Sequence, residues 1–435
     1  MQKNIYQLIC ICIINMLSLK IKIALTLITF FLAIDIYSWQ GIKTLIGLKH
    51  KHNLALAKKI FFGLTLIFSG LVILISFSNT IQQNAYVRTY LSSVVFIFYL
   101  SKFLLCIFLL FDDLQRGIRW IAKKKFGKGN LLEPKSVATI NRATFMSQVG
   151  ALAAGVPLVL LTKGIFKGAY DYQVMHVPLY IKNLPLAFRG IKILQLSDIH
   201  TGSLLNRDAV HKGIQLAMAQ KPDMAFFTGD FVNNQTSEAY PLMEHFAEIK
   251  APMGVHSILG NHDYGDYMQW ENEQQKIENL QALYQVHTDM GWNLLRNEHV
   301  MIEKGGNRIG LIGVENWGNK GRFQRYGDIN KASAGMPECR VKLLLSHDPS
   351  HFEYIVSEKY NDVNVTFSGH THGFQFGVET DFIKWSPSKY IYPYWAGLYA
   401  KGKQQIYVNR GYGFLGYPGR VGILPEITIF ELREA

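Results

Sequence analysis

Cysteine is scarce: the 435 residues hold four, and Cys10, Cys12 and Cys106 sit in apolar runs, leaving Cys339 alone in the C-terminal half. No disulfide scaffold can be built there, and the count does not decide the redox compartment. Acidic residues are scarce at one end only. The first 170 residues hold 4 Asp+Glu against 20 Lys+Arg, whereas the remaining 265 hold 28 against 25. The net charge of +13 therefore belongs to an apolar N-terminal region and describes no basic nucleic-acid-binding domain. With 37 Gly and 13 Pro in no period, and 13% aromatics, collagen-like and disordered classes are excluded as well. There is no internal repeat and no low-complexity segment.

Long apolar runs fill residues 1–170. Ile23 to Trp39, Ile60 to Phe77, Leu91 to Phe111 and Phe145 to Phe166 each approach the ~20 residues that cross a bilayer core. They predict about four transmembrane spans (23–39, 60–77, 91–111 and 145–166), the last carrying Pro157. Ile5 to Leu19 is apolar but short and contains Asn15, so it is equally an interfacial segment, a signal-like lead or a fifth span.

The loops set an orientation. Lys43, Lys49, Lys51, Lys58 and Lys59 follow the first span, and Arg116, Arg119, Lys123, Lys124, Lys125, Lys128, Lys135 and Arg142 follow the third, with Arg88 alone between the second and third. The bias of cytoplasmic loops toward Lys and Arg puts both basic loops inside and everything after the fourth span outside. Clusters of this kind beside a membrane contact anionic lipid, so membrane lipids are expected partners and nucleic acid is not.

From residue 171 the pattern becomes α/β. Tyr172 to Ile181 alternates as a strand, Arg207 to Gln220 and Trp270 to Met290 have the helical period, and no linker divides residues 171–435 again. Five β-rich runs end directly in ligand-type side chains. Ile191 to Ser197 leads into Asp198-Ile-His200, Met224 to Gly229 into Asp230, and Val255 to Gly260 into Asn261-His262-Asp263. Val341 to Ser346 leads into His347, and Val363 to Gly369 into His370-Thr-His372-Gly. Sites in open α/β sheets form at the carboxyl ends of strands, so the five ends are expected to converge.

Aspartate, asparagine and histidine without thiolate suit Mn, Fe or Zn and disfavour Cu(I) and iron–sulfur clusters. Seven such ligands exceed one coordination sphere. Two divalent ions sharing a carboxylate would clamp the attacking and leaving oxygens of a phosphoryl group.

In order along the chain, Asp198-x-His200, Gly229-Asp230, Gly260-Asn261-His262-Asp263, His347 and Gly369-His370-x-His372 resemble the five blocks of the calcineurin-like metallophosphoesterases. The likeness is greatest to bacterial membrane-anchored members, some similar to the phosphodiesterases that hydrolyse UDP-diacylglucosamine. The resemblance implies a two-sheet β-sandwich flanked by helices over residues 171–435, behind the N-terminal transmembrane helices. It also implies that Asp198, His200 and His372 bind one metal, that Asn261, His347 and His370 bind the other, and that Asp230 bridges them. A water or hydroxide between the ions would then attack phosphorus in line, with His262 as the general acid. Many members place an aspartate three residues after the bridging one to orient that histidine. Here Asn233 stands in its place, which implies a weaker acid or another partner.

The resulting expectation is a phosphoesterase at the outer face of a bacterial cytoplasmic membrane. Its substrate would be a phosphodiester, and the anchor directs attention to lipid-linked or envelope-derived molecules. A broad phosphomonoesterase and a non-catalytic, metal-dependent sensor or ligand-binding protein are the alternatives. Arg410, after the strand Gln405 to Val408, is either a phosphate donor or an ordinary turn arginine. The aromatic stretch Phe382, Trp385, Tyr390, Tyr392, Tyr394, Trp395 and Tyr399 either caps the site, touches the bilayer interface or packs within its own loop.

Overall fold

The computed structural model describes residues 2–46, 51–126, 142–321, 323–380 and 382–435. Lys49, Lys128 and Lys135 of the basic loops lie outside them. The chain divides into two compact units, residues 1–162 and 163–435.

The apolar runs of the first unit, free of proline apart from Pro157, fold as α1 (Gln2–Ile46), α2 (Lys51–Phe77), α3 (Asn79–Gln83), α4 (Ala85–Phe126) and the greater part of α5 (Arg142–Phe166). Ser78 accepts from the Ile81 N–H and so caps the short α3 that joins the two long helices. Among the described residues three helices are long and apolar enough to cross a membrane: Asn53–Phe77, Ala85–Ala122 and Arg142–Tyr170. They contain the runs 60–77, 91–111 and 145–166 and exceed them because the polar and basic flanks continue the helix. The run 23–39 lies within α1, as does Ile5 to Leu19.

Two charges sit inside these apolar helices. Lys102 on α4 forms an ion pair with Asp35 on α1, the Tyr99 hydroxyl donates to the same carboxylate at 3.1 Å, and the Phe61 and Phe98 rings lie 4.1 and 4.0 Å from the ammonium. In a medium that cannot solvate them, such groups persist only when paired. The pair therefore fixes the register of α1 on α4.

The described residues of the second unit hold fourteen strands: β1 (Gln173–Ile181), β2 (Lys192–Leu196), β3 (Met224–Thr228), β4 (Val255–Ile258), β5 (Asn293–Leu294), β6 (Glu298–Lys304), β7 (Asn307–Gly313), β8 (Lys342–Leu345), β9 (Val365–Ser368), β10 (Val378–Glu379), β11 (Lys384–Trp385), β12 (Gly397–Lys401), β13 (Gln404–Val408) and β14 (Glu426–Glu434). They form two six-stranded sheets, ordered β1-β14-β2-β3-β4-β5 and β12-β13-β9-β8-β7-β6, with β10–β11 a separate antiparallel hairpin. This is the α/β two-sheet architecture expected from sequence.

Strand alternation explains the layering. On β2, Ile193 points into the core between the sheets while Leu194 and Leu196 pack under the helices α6 (Arg207–Met218), α7 (Met243–Phe246) and α8 (Glu273–Asp289). Phe226 of β3 meets Phe367 of β9 edge to face at 5.1 Å, and Phe367 meets Phe430 of β14 at 5.0 Å. These rings join the two sheets. Within the first sheet β2, β3 and β4 run parallel, and within the second β8 and β9 do. Five strand ends therefore open at one edge of the sandwich.

Candidate metal centre

Three of the loops leaving those five ends, after β2, β3 and β9, contain backbone that most residues avoid. Asp198, His200, Asp230, His370 and His372 all have positive φ, between 50° and 72°. Each left-handed non-glycine residue costs about 1–3 kcal/mol and persists only where its surroundings over-determine it. Hydrogen bonds supply that constraint. Asp198 N–H donates to Gly229 O, His200 N–H to Asp230 O, and His370 N–H to the Asp198 carboxylate at 3.0 Å. A Cβ on Gly260 would lie 2.2 Å from Asp230 Oδ1, and one on Gly369 2.2 Å from Asp198 Oδ2, so glycine alone admits these approaches.

Asp263 ties the first sheet's loops together. Its buried carboxylate accepts the N–H groups of Asp230, Phe231, Val232 and Gly260 at 2.8–3.1 Å. Burial, with the charge of Asp230 behind it, pushes its pKa up to about 7 despite those donors.

Two groups of ligand atoms result. Asp198, His200 and His372 form one, with His372 Nε2 at 3.2 Å from Asp198 Oδ1 and 3.0 Å from His200 Nε2. Asp230, His347 and His370 form the other, and Asn261 Oδ1 joins it at 2.8 Å from His370 Nδ1. Asp230 Oδ2 faces both, 3.1 Å from His347 Nε2 and 3.6 Å from His200 Nε2. His347 Nδ1 donates to Thr228 O at 2.7 Å, which fixes the tautomer that leaves Nε2 a lone pair. All seven residues named from sequence are thus in one cluster.

The cluster fits divalent cations. Its donors are nitrogen and oxygen only, His200 Nδ1 is buried without a hydrogen-bond partner, and Asp198 and Asp230 are buried carboxylates. Burial disfavours a proton on His347, yet the Asp230 carboxylate outweighs burial and pushes the imidazole up to about 10. The carboxylates demand positive charge, which a metal ion can supply in place of that proton.

His262 stands beside both groups. Its main-chain N–H donates to Asp230 Oδ1 at 2.8 Å, and its Nδ1 lies 2.8 Å from the carbonyl oxygen of Asn233. The Asn233 side chain instead pairs with Ser203 Oγ at 3.0 Å, so the amide is not what orients the ring. Arg410 is no phosphate donor: its guanidinium is buried in ion pairs with Glu426 and Glu379. Of the aromatic stretch, Tyr392 reaches the centre, its hydroxyl 2.9 Å from His370 Nε2, while Trp395 is buried and Phe382 and Tyr390 are exposed.

Several contributors escaped the sequence reading. Tyr267 accepts from Asn261 Nδ2 at 2.9 Å, Arg420 Nη2 lies 3.2 Å from His372 Nδ1, and Glu238 accepts the N–H groups of Asn233 and Asn234. Only Asp263, inside the Asn-His-Asp block, carried a signal.

A model of the calcineurin-like phosphoesterase family matches residues 191–374, and a model described as the probable transmembrane domain of calcineurin-like phosphoesterases matches residues 20–169. The metallophosphoesterase YkuE of Bacillus subtilis is 30% identical over 302 residues, which cover 65% of this chain and 94% of that one. The chain belongs to the calcineurin-like metallophosphoesterases. A transmembrane protein with a metallophosphoesterase domain from Danio rerio is 26% identical over 292 residues, covering 65% of this chain and 62% of its own length. One of the same description from Bos taurus is 26% identical over 312 residues, covering 69% and 66%. This metallophosphoesterase therefore matches less than two thirds of either vertebrate relative.

Proposed function

We propose that the protein is a membrane-anchored hydrolase of phosphodiesters that works with two divalent ions, Mn, Fe or Zn. The observation that carries this reading is the position of Asp230 Oδ2, facing His347 on one side and His200 on the other, 3.1 and 3.6 Å away. Asp198, His200 and His372 would hold one ion and Asn261, His347 and His370 the other, with Asp230 shared. Such a pair, when bound, supplies an activated water and positive charge for the phosphoryl oxygens.

The chain's own residues do the rest. Asp263 and the strained loops keep the ligand atoms in place before any substrate arrives, so little reorganisation remains for the reaction. His262, with Nδ1–H on the Asn233 carbonyl, presents Nε2 to deliver a proton to the leaving oxygen. The cleft at the centre, about 630 Å³, is lined by His262, by the ligands His200, Asp230, Asn261, His370 and His372, and by Phe374, Ile391, Leu415 and Tyr417. That volume leaves room for a substituent on each side of phosphorus, which supports a diester.

In the membrane we read four spans, the run 23–39 with the three apolar helices, and the catalytic unit on the extracytoplasmic face of a bacterial inner membrane. The distribution of basic residues supports this orientation, and an alkaline phosphatase fusion at the C-terminus tests it. The substrate class is lipid-linked or envelope-derived. Activity is tested on the purified full chain with Mn²⁺, using bis(p-nitrophenyl) phosphate and p-nitrophenyl phosphate. Faster turnover of the diester is expected. Faster monoester turnover favours a phosphomonoesterase, and bound metal without turnover favours a sensor.

A further inference from the structure

Among the described residues a third group of ligand atoms lies apart from the metal centre. His211 comes from the second turn of α6, His245 from α7, and Glu248 from the turn that follows α7. Their ligand atoms all lie within 4.8 Å of one another. The Glu248 carboxylate is 2.9 Å from His211 Nε2 and 3.8 Å from His245 Nδ1, and the two imidazoles stack with centroids 4.6 Å apart. A tetrahedral ion roughly 2.0–2.2 Å from its donors sets them about 3.4 Å apart, which these two distances bracket.

Buried neighbours hold the three side chains toward one another. Val210 precedes His211, Phe246 follows His245 and Ile249 follows Glu248, and all three pack in the hydrophobic core of this unit. Tyr412 joins the two supports. Its hydroxyl donates to Val210 O at 2.6 Å, and its ring meets that of Phe246 edge to face at 5.7 Å. The backbone of the ligands is therefore set before an ion arrives, and binding need order only side chains. Those side chains are 31%, 29% and 45% exposed, so an ion can enter and leave directly from solution.

The donor set selects the ion. Two imidazoles and a carboxylate without thiolate suit Zn²⁺, which accepts three protein ligands with water in the fourth position. Gln215, one turn beyond His211 with its amide nitrogen 3.5 Å from Nε2, stands beside that position. Mn²⁺ is the weakest binder of the divalent series, so Mn²⁺ levels that fill the buried centre leave this exposed set to zinc.

We propose that His211, His245 and Glu248 form a separate zinc site that clamps α6 to α7. The clamp bears on the loops of the metal centre from behind. Phe246 packs on Phe231, the residue after Asp230, and the Tyr412 N–H donates to Ser197 O, next to Asp198. The site stands independently of the phosphoesterase reading, because it shares no ligand with the catalytic cluster.

The test is equilibrium dialysis of the full chain in detergent against buffered micromolar Zn²⁺, with zinc per chain read by elemental mass spectrometry. Separate His211→Gln and Glu248→Gln variants, checked for folding by circular dichroism, should each hold one zinc ion fewer than the wild type. Zn²⁺ should also slow hydrogen exchange in the amides of α6 and α7 several-fold more in the wild type than in either variant. Equal zinc content in the wild type and both variants overturns the site. One ion fewer with the same exchange in all three proteins overturns the clamp.

Discussion

The ring of His262 is oriented by a main-chain atom, the carbonyl oxygen of Asn233, 2.8 Å from its Nδ1. The orientation therefore belongs to the turn and not to the side chain three residues after Asp230. Asn233→Ala should keep kcat on bis(p-nitrophenyl) phosphate within about threefold, whereas His262→Ala should lower it by about 10²–10⁴. A loss in Asn233→Ala as deep as in His262→Ala would assign the orientation to the amide.

Asp230 is expected to serve metal binding and catalysis together. Removing one oxygen's charge from a site that faces His200 and His347 should lower turnover at least about 100-fold in Asp230→Asn and weaken metal retention. Mass spectrometry under native conditions reads the metal content. A variant that keeps both ions and wild-type kcat contradicts the sharing of this carboxylate.

The Asp35–Lys102 pair sets up a double-mutant cycle. Leaving either charge alone among apolar helices should cost about 3–5 kcal/mol, whereas replacing both with leucine should cost less than either single change. Thermal unfolding of the full chain in detergent measures this. Additive losses would show that the two residues do not act as a pair.

Acid stability follows from two histidines outside the metal centre. His287 bonds to Ser257 Oγ at 3.0 Å and His351 to Ser346 Oγ at 2.9 Å, and burial pushes both imidazoles down to about 3 from an ordinary 6.5. Between those values the unfolded chain binds more protons than the native one. Their contribution is full above pH 6.5 and is lost as pH falls toward 3, at about 1.4 kcal/mol per pH unit for each. Asp263 and His347, whose pKa values are raised, act in the opposite sense, so the reading is taken as a difference: the change in urea midpoint between pH 7.5 and pH 5.0 should shift toward greater relative stability at pH 5.0 in His287→Leu than in the wild type. The same pH change in both would contradict neutral burial of His287.

Much of the site was legible because its residues are adjacent in sequence to strong strand signals. A β-rich run that ends in Asp-x-His or Gly-His-x-His places its ligands by chain continuity, so β2, β3, β4, β8 and β9 needed only to share an edge. What was illegible depends on contacts between distant segments. Arg410 looked available in sequence because Glu379 and Glu426, its partners, lie 31 and 16 residues away. Asp35 and Lys102 are 67 residues apart, and nothing local to either run marks the other. The orientation of His262 was missed for another reason: a motif records side chains, whereas the partner here is a backbone carbonyl.

The central claim is that two cations held by this cluster drive hydrolysis. Stripped full-length protein titrated with Mn²⁺, with bound metal and bis(p-nitrophenyl) phosphate turnover followed in the same samples, tests it most directly. Two ions per chain, with turnover rising as the second site fills, is the predicted result. Full activity with one ion or none bound would contradict it.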